Sequence, residues 1–337
     1  MIVPFLPHLP FILCFLTVLK SATLVAGGLT SNTPTVADSI KAKSKTKVNN
    51  HPVRPQLVKD ALETNSPIYY FGIGSNMSRS KLENRSVCGS QIHIQQMEAA
   101  TVPGYRLAFN LRGFPPLEPG MGSLEPRVAD GDDGSALSYD ANECHGALIK
   151  LSADDYEKVM RSEGVAATDG NPNQTYDEIV VTAIPYNKNH PPVQAVALRA
   201  RSHARLKKDP CPSPRYMNIL REGARELGLK PCYQEFLNKH PVQTNSPLLR
   251  KIAIANLVLT VTLSYRFKIR QISKLQSWLL FKVYAPTTAS KAMKILSEIA
   301  SVMILLPGSI IGFFLLKMLL STGKMPPMMK EMVEQHW

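Results

Sequence analysis

Cysteine is sparse. The 337-residue chain has five, Cys14, Cys88, Cys144, Cys211 and Cys232, and no two form a C-x-x-C pair. Thiolate metal ligands come in clusters, and disulfide frameworks are dense in short secreted chains. A zinc site and a disulfide scaffold are therefore both set aside, and no metal is expected. Acidic residues are nearly missing from the two ends. Residues 1–60 carry seven Lys/Arg against two Asp, and residues 248–337 carry twelve against three Glu. The middle, 61–247, is balanced at twenty against twenty-one. It thus lacks the positive charge of a nucleic-acid binder, and no nucleic-acid partner is expected. The basic flanks suit anionic surfaces or targeting. A dinucleotide fingerprint is missing too: after Gly72 and Gly74, Met77 stands where G-x-G-x-x-G needs its third glycine. No internal repeat is visible.

Long apolar runs are confined to the ends. Near the N-terminus, Phe11 to Leu19 is too short to span a bilayer but fits a signal h-region, without a positive n-region before it. The small-residue patch "SATLVAGG" follows, then a Ser/Thr/Lys-rich, acid-poor stretch that reads as a transit segment or a linker. Residues 1–60 are expected to target the chain, through the secretory pathway or to a plastid. At the other end, Ile299 to Leu316 is uncharged for eighteen residues, near the lower limit for a membrane span. Pro307-Gly308 should kink it. Upstream, "IAIANLVLTVTL" is short, and "YRFKIRQISKLQSWLLFKVY" mixes basic, aromatic and apolar residues as an interfacial helix does. Membrane contact is expected through residues 248–320, on an extension covering 248–337. A buried helical hairpin is the competing reading. The destination is expected to be membrane-associated, with a cytosol-facing membrane protein as the alternative.

The middle segment alternates short β-rich runs with two clear helices. The runs "PIYYFGIG", "HIQQMEAATV", "YRLAFNL", "HGALIKL", "DEIVVTAIPY" and "VQAVALRARS" are bounded by turn formers. One helix follows Ser152, with Asp154 and Asp155 in its first turn and Gly164 past its end. The other has Ser213 as cap, Pro214 at its first position and Gly228 as its stop. Met217, Leu220, Ala224 and Leu227 give it one buried face. Strands outnumber helices without βαβ alternation. An α+β domain over 61–247, with a small mixed β-barrel and flanking helices, is predicted.

Two features carry chemistry. The loop "YYFGIGSNMSRSKLENR" ends a strand on glycines, which let a ligand approach the backbone, and starts a helix near Ser78 or Ser80. Amides at such a turn can hold a carboxylate or an oxyanion. The second feature is "SEGV". Glu163 falls at the negative end of its helix, which disfavours an ionised carboxylate. Such a group suits both taking and returning a proton.

In order, "YFGIGSNM", "PGYRLAFN", "GSLEP" (a turn), "HGALIKLS", "SEGV", "TYDEIVVTAIPY" and "PSPRYMNILREGARELGL" resemble successive motifs of the γ-glutamylcyclotransferase family, across about Ile68 to Pro241. The resemblance implies a barrel-centred α+β fold. It also implies conversion of a small γ-glutamyl substrate to 5-oxoproline and a free amine or amino acid, with no cofactor. On this resemblance Gly74, Ser75 and Asn76 lie on the substrate-holding loop and Glu163 is the catalytic glutamate. Tyr216 and Tyr176 match site tyrosines. Ile73 stands where the family loop carries tyrosine, which removes a hydroxyl but leaves the amides. The span between Glu163 and Tyr176 is longer than the family's. It is expected either to close over the site or to displace Tyr176.

Overall fold

A computed structural model describes residues 54–85, 90–127, 142–165, 174–267, 270–286 and 289–323. All of them lie within the unit His51–Trp337. Residues 1–53 of the targeting segment expected over 1–60, and residues 166–173 of the long span, lie outside the described residues, whereas residues 56–60 belong to the first helix described.

The elements run in the order α1 (Gln56–Glu63), β1 (Ile68–Gly72), a 3-10 turn (Ser75–Met77), α2 (Arg79–Glu83), β2 (Ile94–Pro103), β3 (Tyr105–Phe114), β4 (Glu118–Pro126), β5 (Glu143–Leu151), α3 (Ala153–Ser162), β6 (Tyr176–Pro185), β7 (Val193–Ala200), α4 (Pro214–Glu226) and α5 (Pro231–Lys239). Three further helices follow: α6 (Pro247–Phe267), α7 (Arg270–Val283) and α8 (Lys291–Thr322). The barrel closes in the order β1-β5-β2-β6-β7. Its pairings are antiparallel except the closing one, where Tyr70 and Phe71 lie parallel to Val196 and Ala197. The predicted mixed barrel with flanking helices is the observed fold. Apolar side chains with no polar atoms to satisfy fill it, including Phe71, Leu148, Ile149 and Val196. Gly146 allows a close approach of β5 to β1: a Cβ there would stand 2.5 Å from the Gly72 carbonyl oxygen.

β3 and β4 form a separate two-stranded sheet. "GSLEP" is therefore strand, not turn. The glycines of β4 answer to crowding: a Cβ on Gly120 would stand 2.1 Å from the Phe109 carbonyl oxygen. The Ser80–Glu83 capping box also fails. Ser78 is the N-cap of α2, and Glu83 instead accepts from Arg79 one turn back, at 2.9 Å.

The last three helices carry their own apolar cluster, built on Leu249, Ala253, Ile254, Val258, Leu280, Leu305 and Leu316. α8 runs unbroken through Pro307. It packs closely on α6, because a Cβ on Gly312 would meet the Ala255 carbonyl oxygen at 1.8 Å. The Asn256 amide donates to the Leu305 carbonyl at 3.1 Å. Ser301, Leu305, Ser309, Gly312 and Leu316 face inward. Met303, Leu306, Ile310, Phe314 and Met318 are exposed. The basic, aromatic stretch read as an interfacial helix covers the end of α6 and α7. Among the described residues, α8 alone is long and apolar enough to cross a membrane.

Candidate functional site

β1 delivers the loop. Neither Gly72 nor Gly74 takes a positive φ, so room, not backbone freedom, explains them. A Cβ on Gly74 would stand 2.9 Å from the Tyr216 hydroxyl oxygen, and one on Gly72 would stand 3.0 Å from Asn76 Cβ. Ser75 and Asn76 open the 3-10 turn, so their N–H groups have no partner within it. α4 closes against this turn because Gly223 leaves space for Met77.

α3 delivers the glutamate. Ser152 Oγ accepts from the Asp155 amide at 3.1 Å and fixes the start of the helix. The end is a Schellman cap. Val165 N–H reaches the Met160 carbonyl at 2.9 Å, Gly164 N–H reaches that of Arg161 at 3.1 Å, and Gly164 has φ 74°. Buried Val165 and Met160 complete the motif. Glu163 is the C-cap residue of this turn, which holds its backbone in one conformation.

Gly74, Ser75, Asn76, Glu163, Tyr176 and Tyr216 all line one cavity of about 40 Å³, together with Tyr70, Ile73 and Gly122. Asn76 Nδ2 donates to Glu163 Oε1 at 3.1 Å and to the Tyr70 hydroxyl at 2.8 Å. Its Oδ1 is buried and has no partner. Gly122 N–H donates to the Tyr216 hydroxyl at 3.0 Å, and the Tyr176 hydroxyl donates to the Gly122 carbonyl at 2.9 Å. Tyr176 thus keeps its place at the cavity despite the long span before it. Burial, then the charge of Glu163, pushes the Tyr70 hydroxyl above its ordinary range. Burial does the same for Tyr176 and Tyr216. All three stay protonated at neutral pH. Because Tyr70 and Tyr216 accept these bonds, their own protons can be donated elsewhere.

Sequence reasoning missed Tyr70 and Arg85. Arg85 Nη1 donates to Glu163 Oε1 at 2.7 Å and to Ser162 Oγ at 3.1 Å. Its Nη2 donates to Ser75 Oγ at 2.8 Å. The glutamate expected to face only the negative end of its helix therefore has a guanidinium on it. Tyr70 was open to view: it shares a strand face with Ile68 and Gly72, and so points where Gly72 meets Asn76. Arg85 gave no such signal, since it follows a five-residue helix as an ordinary basic residue.

No family model matches the chain. Relatives named gamma-glutamyl cyclotransferase are similar to it. The gliK protein of Claviceps purpurea is 31% identical over 145 residues, 43% of this chain and 59% of that protein. The verK protein of Clonostachys rogersoniana is 30% identical over 159 residues, 45% of this chain and 82% of that protein. The chain spans 59% and 62% of the gliK proteins of Claviceps purpurea and Aspergillus fumigatus, under two thirds of each. A solved structure called gamma-glutamyl cyclotransferase matches with a TM-score of 0.39 at 17% identity, over 54% of this chain and 92% of that one. YkqA from Bacillus subtilis matches with a TM-score of 0.41 at 17% identity, over 55% of this chain and 60% of that one. With 30% identity across 82% of the Clonostachys protein, the chain belongs to the γ-glutamyl cyclotransferase family.

Proposed function

We propose that this chain closes the γ-glutamyl group of a small substrate into 5-oxoproline and releases the attached amine or amino acid. One observation carries the reading: Glu163 and Asn76, whose Oδ1 is unpartnered, line one cavity, and Arg85 bonds to Glu163 and Ser75 on its wall. A γ-glutamyl group ends in an α-carbon bearing both an ammonium and a carboxylate. The Arg85–Glu163 pair is the complement of that zwitterion. On binding, the substrate carboxylate takes the Arg85 guanidinium, and Glu163 turns to the substrate amine. Arginine suits this exchange because its planar fork can hold a carboxylate with two bonds. Asn76 Oδ1 accepts a hydrogen bond from a second N–H of the amine. Its orientation is fixed, because a carboxylate can only accept and so Nδ2 must face Glu163.

The ammonium gives up one proton to solvent, and Glu163 takes a second as the amine nitrogen attacks the γ-carbonyl carbon. The new C–N bond closes a five-membered ring and puts charge on the carbonyl oxygen. The Tyr70 or Tyr216 hydroxyl, or the Ser75 and Asn76 amides at the start of the 3-10 turn, can donate to that oxygen. As the old C–N bond breaks, Glu163 returns the proton to the leaving nitrogen. Attack within one molecule needs the chain folded, and a narrow cavity favours the folded form. The test is 5-oxoproline release from γ-glutamyl dipeptides by the purified full chain. No product from any dipeptide, or full activity in Glu163→Gln, rules the reading out.

A second reading is a membrane-tethered γ-glutamyl-binding module without turnover. The Arg85–Glu163 ion pair favours it, since the glutamate is already engaged. Dipeptide binding without product would select it.

A further inference from the structure

A second cavity, of about 450 Å³, lies where α2 and α4 meet the start of α6. Lys81, Arg215 and Arg250 give it three cations, and exposed Glu222 is the one carboxylate residue on its wall. Arg215 is already paired with Glu118 at 3.0 Å. Arg250 and Lys81 are not paired with any carboxylate among the described residues, and the Arg250 Nε is buried without a hydrogen-bond partner. Buried, unpaired guanidinium nitrogens are costly, so this one points to an anion.

The position narrows the choice of anion. The Ser246 N–H donates to Glu298 Oε1 at 3.0 Å, which sets the start of α6 level with Glu298. Glu298 is the last charged residue before the uncharged run Ile299 to Leu316. The two helices run parallel, with Asn256 further along α6 against Gly308 further along α8. Arg250 lies one helical turn past Ser246, and so sits about 6 Å inside the level where the apolar run begins, at 1.5 Å per residue. The 32-residue α8 is about 48 Å long and exceeds the ~30 Å apolar thickness of a bilayer. If α8 enters a bilayer, the cavity stands at the boundary between the hydrocarbon and the headgroups. Exposed Lys291 and Lys294 lie on the polar side of the same boundary.

We propose that this cavity holds the phosphate of an anionic lipid headgroup, gripped by Arg250 and Lys81 with the Asn218 amide beside them. The site rests on membrane entry by α8, not on the cyclotransferase reading. It is tested with the full chain in detergent, by thermal stability against added short-chain phosphatidic acid, phosphatidylcholine or inorganic phosphate. A ligand that binds only the folded state raises Tm with concentration. Phosphatidic acid should raise Tm at concentrations where inorganic phosphate and phosphatidylcholine do not. The double substitution Lys81→Gln, Arg250→Gln should weaken phosphatidic acid binding by about a hundredfold, since each charged contact is worth about a factor of ten. Activity on γ-glutamyl dipeptides in detergent should be unchanged. Lys81→Gln alone, on a short surface helix, guards against misfolding of the double variant and should show part of the loss. The proposal falls if the substituted protein keeps the full affinity. It falls equally if inorganic phosphate matches phosphatidic acid, which would make the site one for soluble phosphate. It also falls if Lys291→Gln, Lys294→Gln removes the lipid response as fully as the cavity substitutions, because diffuse surface charge would then explain it.

Discussion

Arg85→Gln is the sharpest perturbation of the site. The arginine's side chain is 23% exposed and that of Glu163 is 19% exposed, so neither is fully desolvated. In the proposed exchange, Arg85 makes two charge-assisted bonds to the substrate carboxylate. Such bonds are worth about 1.5–3 kcal/mol each, and partial exposure argues for the lower figure. Losing both removes about 3 kcal/mol, which is about a hundredfold in affinity. Holding the carboxylate is the same in ground and transition states, so the loss belongs in KM more than in kcat. Arg85→Lys keeps the charge but not the fork, and should fall between the two. The assay is 5-oxoproline formation over a range of dipeptide concentrations, beside a thermal melt as a check on folding. An Arg85→Gln enzyme with unchanged KM would refute the exchange. If its kcat also rose, the arginine would be an obstruction rather than a carboxylate holder.

Three other outcomes follow from the same geometry. Glu163→Gln should keep the fold and lose about 10²–10⁴-fold in kcat, the usual worth of a positioned acid–base group, measured by the same product assay. Gly164→Ala meets no neighbour, since nothing lies within 4 Å of the added Cβ, but forces alanine to φ 74°. It should cost about 1–2 kcal/mol by thermal melt and lower kcat by moving Glu163. The fully buried His145 imidazole contacts the Tyr186 hydroxyl, and burial lowers its pKa to about 4. The unfolded chain therefore takes up this proton first as pH falls. Stability should fall between about pH 6.5 and 4, by up to about 3 kcal/mol from 1.36 kcal/mol per unit. A urea midpoint flat across that window would show that the folded ring is readily protonated.

Much of the fold was legible because its elements follow local rules. Ser152 and Ser213 cap their helices through their side chains, and Pro214 and Gly164 stand where helix ends want them. β4 was not legible, because its glycines respond to Phe109 and Tyr216, which come from elsewhere in the chain. The site divided in the same way. Gly74, Ser75, Asn76 and Glu163 announce themselves by turn chemistry and by position in their motifs. Arg85 reaches Glu163 across 78 residues of sequence, and no local pattern encodes that meeting. Leu227 was assigned to the buried face of α4 but is only half-buried, since the helix has already ended there.

Arg54 has a practical meaning for anyone shortening this chain. Its guanidinium is buried between Glu157, on α3, and Glu178, on β6, and Glu178 also accepts from the Tyr156 hydroxyl at 2.6 Å. A fragment beginning at residue 60 would leave that pair of acids without a cation, at a cost of about 3–5 kcal/mol for breaking a buried ion pair. Such a fragment would lose much of its margin against unfolding, and its inactivity would say nothing about Glu163. The smallest piece fit for enzymology starts ahead of Arg54.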